Sequence, residues 1–167
     1  GTWIAHGAGD ADRLVVDGSQ LETWSYWIPP AFAAMQGRGQ LRRFSTWFFV
    51  GRAPEGDVAI DDGEIHEHVW LTVREAKARR DAGEIELAPP TWITLHQLET
   101  HATVDEALAW ARTAEPEEFR TKPIAKDPVT LAWFGDVAYG GGPHDAEGPR
   151  HRLFLIPDGW VYQREGV

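Results

Sequence analysis

Cysteine is absent from the 167 residues, which excludes a disulfide framework, a thiolate metal site and a cysteine nucleophile. That absence fits a cytoplasmic protein. No apolar run reaches the roughly 18–20 residues that a membrane-spanning helix needs, and the first residues have neither a basic start nor an apolar signal core. A soluble chain is expected. Basic side chains are scarce: 16 Lys and Arg stand against 26 Asp and Glu, for a formal net charge of -10. Broad binding to nucleic acid or to an anionic membrane needs clustered cations that displace counterions, so neither is expected. Internal repeats are absent too, and low complexity is confined to the loop at Gly140–Gly142. The length allows one full core, or one domain with an appendage, but hardly two independent domains.

Aromatic residues, by contrast, are plentiful. Nine Trp can each bury a large area while asking for one partner for the indole N–H, and they serve either as core or as the walls of a flat ligand pocket. Residues 1–20 read as a loose segment in which Leu14–Val16 could be a short strand between turn-like GAGDAD and DGSQ. The first residue is Gly1 rather than Met, as in a tag remnant, a processed terminus or a fragment. Leu21 to Pro29 alternates loosely and reads as a strand closed by Pro29 and Pro30, which cannot donate to a ladder. Phe44 to Gly51 is apolar on both parities, and this predicts an interior strand of a layered α/β domain with both faces covered. Between the two strands, Arg38, Arg42 and Arg43 form the one dense basic patch, either a solvated loop or a guanidinium grip on a ligand phosphate.

Glu64 to Leu71 is a further strand candidate, with Glu64, His66 and His68 on one parity. That alternation reads as a metal site or as a half-exposed polar face. Thr72-Val-Arg-Glu75 has capping-box spacing and predicts a charged surface helix that stops at Gly83. Pro89-Pro90-Thr91 suits a helix start, with Trp92, Leu95 and Leu98 as its apolar stripe. A second box, Thr103-Val-Asp-Glu106, opens a short helix bearing Val104, Ala107, Leu108 and Ala111, with a break before Glu115-Pro116. From residue 114 the composition turns to strands and turns, with a loose GGGPHDAEGP loop and a hairpin signal at Asp158-Gly159. This β-rich tail, 114–167, is expected to cover a sheet edge or to form a dimer contact, so a homo-oligomer is among the expectations.

Five pieces in order resemble the later part of Nudix hydrolases, most closely the bacterial branch similar to the nucleoside diphosphate-linked moiety X motif 19 type. They are Trp24, Trp27, Ile28 and Pro29; then Arg43, Phe44, Thr46, Phe48 and Phe49; then Trp70, Leu71 and Glu75; then Leu87, Pro89, Pro90 and Thr91; and, in the tail, Arg150, His151, Arg152, Leu153, Gly159 and Trp160. The likeness covers roughly residues 21–164. It implies a Nudix-like α/β/α sandwich with a mixed sheet over residues 21–113, incomplete in this chain. It also implies hydrolysis of a diphosphate bond in a nucleoside-diphosphate-linked substrate, of coenzyme A or acyl-CoA type, with Mg²⁺ or Mn²⁺. Under the same resemblance Trp24, Trp27, Trp47 or Phe49 stacks on a base, Arg43 meets phosphate, and Glu67 or Glu64 serves as a late acid that orients water or metal.

The defining box of that family, G-x5-E-x7-R-E-U-x-E-E-x-G-U with U a bulky aliphatic residue, is absent from this chain. Arg74-Glu75 with Gly83 mimics it faintly, but the paired acids fall on Ala78 and Arg79, and a hard cation needs clustered carboxylates. Three explanations follow: a catalytic N-terminal segment on a separate chain, a cleaved product, or a relative that keeps only nucleotide or protein binding. A strand covered on both faces needs neighbours that residues 1–20 cannot all supply, which favours a separate partner segment.

Overall fold

Alternating Trp and polar residues ahead of two prolines give strand β1, Leu21–Ile28, which ends where Pro29 and Pro30 remove the donors a ladder needs. The structure is a computed structural model that describes residues 20–30, 45–53 and 69–167. The expected strand at Leu14–Val16, the basic patch at Arg38, Arg42 and Arg43, and Glu64 to His68 lie outside the described residues. Of the predicted strand at Glu64 to Leu71, the described end is exposed at Val69 and Trp70 and holds a single bridge residue, Leu71.

Strand β2, Thr46–Gly51, corrects the reading of an interior strand covered on both faces. Among the described residues it stands at the edge of a three-stranded sheet of order β2-β1-β3, where β3 is Glu117–Arg120. Its burial alternates: Thr46, Phe48 and Val50 are half-buried, whereas Trp47, Phe49 and Gly51 are exposed. Apolar residues on both parities marked a strand that spends aromatic surface on solvent, a pattern that periodicity cannot separate from double burial.

Both predicted caps, Thr72 and Thr103, start helices. Thr72 caps α1, Val73–Asp81, where Glu75 N donates to Thr72 Oγ1 at 3.2 Å and Thr72 N donates to Glu75 Oε2 at 2.7 Å. Gly83, at φ 74, follows the helix in the left-handed region. Helix α2, Pro89–Leu98, begins on its two prolines and buries Thr91, Trp92, Ile93, Thr94 and Leu95, a broader face than the expected stripe. Thr103 caps α3, Val104–Thr113; Glu106 N donates to Thr103 Oγ1 at 3.1 Å, while Glu106 Oε2 accepts from Ala102 N at 2.8 Å, one residue earlier than a capping box would have it. Ala107, Leu108 and Ala111 are buried, but Val104 sits in the exposed first turn.

The tail forms a four-stranded antiparallel sheet in chain order: β4, Lys122–Lys126; β5, Val129–Ala132; β6, Arg150–Leu155; and β7, Val161–Glu165. The Asp158-Gly159 hairpin is present between β6 and β7. Strand β3 runs parallel to β1, with Trp27 opposite Phe119. The chain divides into two units, residues 1–22 with 49–114 and residues 23–48 with 115–167, so β1 from Thr23 onward falls in the same unit as the tail. The general class is α/β.

In the unit built from residues 23–48 and 115–167, the core is aromatic. The Trp27 and Phe119 rings lie parallel at 4.0 Å, and Trp133 meets each edge-on, at 5.8 and 5.5 Å. Both indoles find acceptors: Trp27 Nε1 donates to Ser25 Oγ at 2.8 Å and Trp133 Nε1 to Thr121 Oγ1 at 3.0 Å. In the other unit, Lys77 joins α1 to α2, with its ammonium 4.7 Å from the Trp92 ring centroid and 2.8 Å from Glu99 Oε2. No helix among the described residues is long and apolar enough to cross a membrane.

Candidate functional site

A buried ion pair shapes the region where β5, β6 and β3 bring side chains together. Asp136 accepts two parallel bonds from Arg152, Nε to Oδ2 and Nη2 to Oδ1, both 2.7 Å. It also accepts from the backbone N–H of His151 at 2.9 Å and of Ala138 at 2.8 Å. Burial alone would push the Asp136 carboxyl up; the Arg152 guanidinium and the two N–H donors outweigh it and hold the carboxyl below its ordinary range. Arg152 Nη1 goes on to the carbonyl of His144 at 2.6 Å, and Arg150 Nη2 to that of Ala146 at 2.7 Å. The glycine-rich loop expected to be loose is therefore pinned at two carbonyls.

The same framework fixes a tight turn, Trp133 to Asp136, closed by Asp136 N donating to Trp133 O at 3.1 Å. Gly135, at φ 93, occupies the turn position that needs a left-handed backbone. Phe134 precedes it and is 79% exposed, the most exposed large apolar side chain described. Its carbonyl lies 2.9 Å from His151 Nδ1. A carbonyl only accepts, so Nδ1 carries the proton and Nε2 of the neutral ring carries a lone pair. That Nε2 is enclosed without a hydrogen-bond partner, 3.8 Å from Glu117 Oε1. Glu117 Oε2 accepts from Arg164 Nη1 at 2.7 Å.

Phe119, Trp133 and Tyr162 surround the His151 ring at 5.7, 5.4 and 5.9 Å. Burial pushes its pKa below the usual value, against the pull of the Phe134 carbonyl and of Glu117, so the ring is neutral at pH 7. Burial likewise pushes the Tyr162 hydroxyl up to about 12. Glu117, Glu118, Arg120, Phe134, Tyr139 and His151 line a cleft of about 410 Å³. Arg120 is turned toward Glu118, with Nε and Nη2 donating to Oε1 at 3.2 and 3.1 Å.

The residues singled out from the sequence are not gathered here. Trp24 and Trp27 are each 2% exposed, with both rings in the interior. Trp47 is 52% exposed and stacks on Tyr26 at 4.4 Å, leaving a face toward solvent; Phe49 is 53% exposed. Arg43, Glu64 and Glu67 lie outside the described residues. Glu75, the acid of the false box, is used by the cap, and its bonds from the Thr72 backbone and side chain lower its pKa. Sequence reasoning missed Glu117, Asp136 and the role of His151. The available signal was the charged run Arg150-His151-Arg152 at the head of an apolar strand, which demands buried partners.

Among the described residues no group of three or more His, Asp or Glu could hold a metal ion. No protein-family model, curated protein or solved structure matches this chain.

Proposed function

We propose that this chain supplies the substrate-binding side of a Nudix-type diphosphatase acting on a nucleoside-diphosphate-linked substrate of coenzyme A or acyl-CoA type. The metal-binding box, and with it a complete α/β/α sandwich, comes from a separate N-terminal segment. The observation that supports this reading is the half-exposed Trp47 ring, backed by Tyr26 at 4.4 Å and an interplanar angle of 29°. A ring held from behind offers its other face to a base at low entropic cost, and such stacking contributes about 1–3 kcal/mol per base. Mg²⁺ or Mn²⁺ finds no fitting ligand set among the described residues, so no hydrolytic step is assigned to them.

Titrating the purified chain with ADP-ribose and with coenzyme A, with tryptophan fluorescence as the readout, tests the binding half. Binding that Trp47→Ala weakens about tenfold or more is the expected result. The catalytic half is tested by Mg²⁺-dependent phosphate-ester release from the product of the longer reading frame, if an R-E-x-x-E-E-x-G lies upstream of Gly1. The second reading is a noncatalytic module that binds a nucleotide or a protein, favoured by the missing box and by the lack of a metal-ligand cluster among the described residues. It predicts binding without turnover under every restoration of upstream sequence.

A further inference from the structure

We propose that the cleft beside the Phe134 turn binds a small organic cation of the amidinium or guanidinium class carrying a flat apolar group. The inference does not rest on the diphosphatase reading. It starts from two acceptors that face each other with nothing to share: Glu117 Oε1 and His151 Nε2 stand 3.8 Å apart, and Nε2 has no hydrogen-bond partner among the described residues. The Nδ1–H bond to the Phe134 carbonyl, 2.9 Å long, fixes the tautomer, so the ring cannot supply the missing proton at this edge. An enclosed acceptor without a donor is costly, and a group with two N–H bonds set side by side answers Nε2 and the partly exposed Glu117 oxygen beside it. A planar amidinium or guanidinium presents such a pair, with a positive charge that suits the carboxylate.

The rest of the cleft agrees with a cation and a flat group. Glu117 Oε2 is already held by Arg164 at 2.7 Å, which fixes the carboxylate and turns Oε1 toward His151. The guanidinium of Arg120 is neutralised by Glu118 Oε1 at 3.1 Å. Phe134, 79% exposed, stands perpendicular to Tyr139 at 6.4 Å on the lining and offers apolar surface and a cation-attracting ring face, while the Tyr139 ring already carries the Lys122 ammonium at 4.1 Å from its centroid. A cleft of about 410 Å³ accommodates a ligand of one ring and a charged head. The formal charge of -10 on the chain adds long-range attraction for a cation.

The test uses benzamidine as the probe, with benzamide as its neutral analogue, and follows backbone amide shifts of the whole chain. The expected result is shifts confined to Glu117–Arg120, Phe134–Tyr139 and His151, with benzamide at least about tenfold weaker. Glu117→Gln keeps the size of the side chain and should weaken benzamidine about tenfold. Phe134→Ala alters a side chain that is already in solvent, so the fold persists, and should weaken it several-fold. Equal affinity for benzamide, shifts elsewhere on the chain, or a Phe134→Ala variant that binds as well as the parent would each overturn the proposal, as would a bridging water that benzamidine at millimolar concentration leaves in place.

Discussion

Removing the Asp136 carboxylate should cost this protein a large part of its stability. The side chain is wholly enclosed, and that of Arg152 is 3% exposed, so Asp136→Ala leaves a guanidinium in the interior with the His144 carbonyl as its remaining partner at 2.6 Å. It also takes the acceptor from two backbone donors, His151 N and Ala138 N, at 2.9 and 2.8 Å. Truncating one partner of a buried pair costs about 3–5 kcal/mol, against a total stability of about 5–15 kcal/mol for an ordinary domain. For a chain of this size that corresponds to a melting temperature lower by roughly 6–20 °C.

Urea unfolding followed by tryptophan fluorescence reads the change, since Trp133 is fully buried in the same unit. The second arm is Asp136→Ala combined with Arg152→Leu. Taking away the uncompensated guanidinium should return a good part of the loss, so the double variant is expected to be more stable than Asp136→Ala alone. A single variant within about 1 kcal/mol of the parent, or two substitutions whose effects simply add, would refute the assignment of a tightly coupled buried pair.

Stability should also fall in mild acid. The folded pKa of His151 is depressed, first by burial, so the unfolded chain takes up a proton near pH 6.5 before the folded one does. Its contribution is complete above pH 6.5 and is lost as pH drops from there through the folded pKa. Glu117 and Asp136 face the ring with favourable charge and Arg164 with unfavourable charge. His96, lowered by burial and by Lys77, adds the same sign in the other unit, so site-resolved NMR titration is the check: a His151 midpoint at or above 6.5 contradicts the reasoning. Asp136, lowered in the fold, adds a second loss at still lower pH, below its ordinary value of 3.8. Thr103→Ala should cost about 1 kcal/mol in thermal or urea unfolding, because Glu106 N loses its cap acceptor. Gly135→Ala should cost about 1–3 kcal/mol, since φ 93 disfavours a side chain there and the new Cβ would overlap Val167 Cγ1; an unchanged melting temperature would remove the turn from the argument.

Local signals were the legible ones. The capping box at Thr72, the side-chain cap at Thr103, the paired prolines after Ile28 and before Trp92, and the Asp158-Gly159 turn each act within a few residues, and each sits where its chemistry predicts. Burial depends on distant partners and was less legible. Double cover is found not at Thr46 to Gly51 but, as also in β5, at β6, where His151, Arg152 and Leu153 are buried in succession. Two of those three are polar, and their cover is supplied by Asp136 and the Phe134 carbonyl, fifteen and seventeen residues away in sequence. Among the ring-bearing candidates the sequence could not separate Trp27, consumed by Phe119 across a parallel pairing, from the half-exposed Trp47.

A buried ion pair is a poor way to gain stability, because desolvation offsets most of the attraction and apolar residues of similar size often do as well. What Asp136 and Arg152 provide that an apolar pair cannot is direction: four bonds on one carboxylate set the backbone of the Phe134 turn and the start of β6 at once. Stability and binding should then separate in the Asp136→Ala, Arg152→Leu variant. Its unfolding free energy is expected to recover toward that of the parent, while its affinity for benzamidine falls about tenfold, since Phe134 and the His151 edge lose their fixed positions. Parallel urea unfolding and amide-shift titrations on that one variant decide the matter. Recovery of both properties together would mean that the pair serves the fold alone and that the turn holds its shape without it.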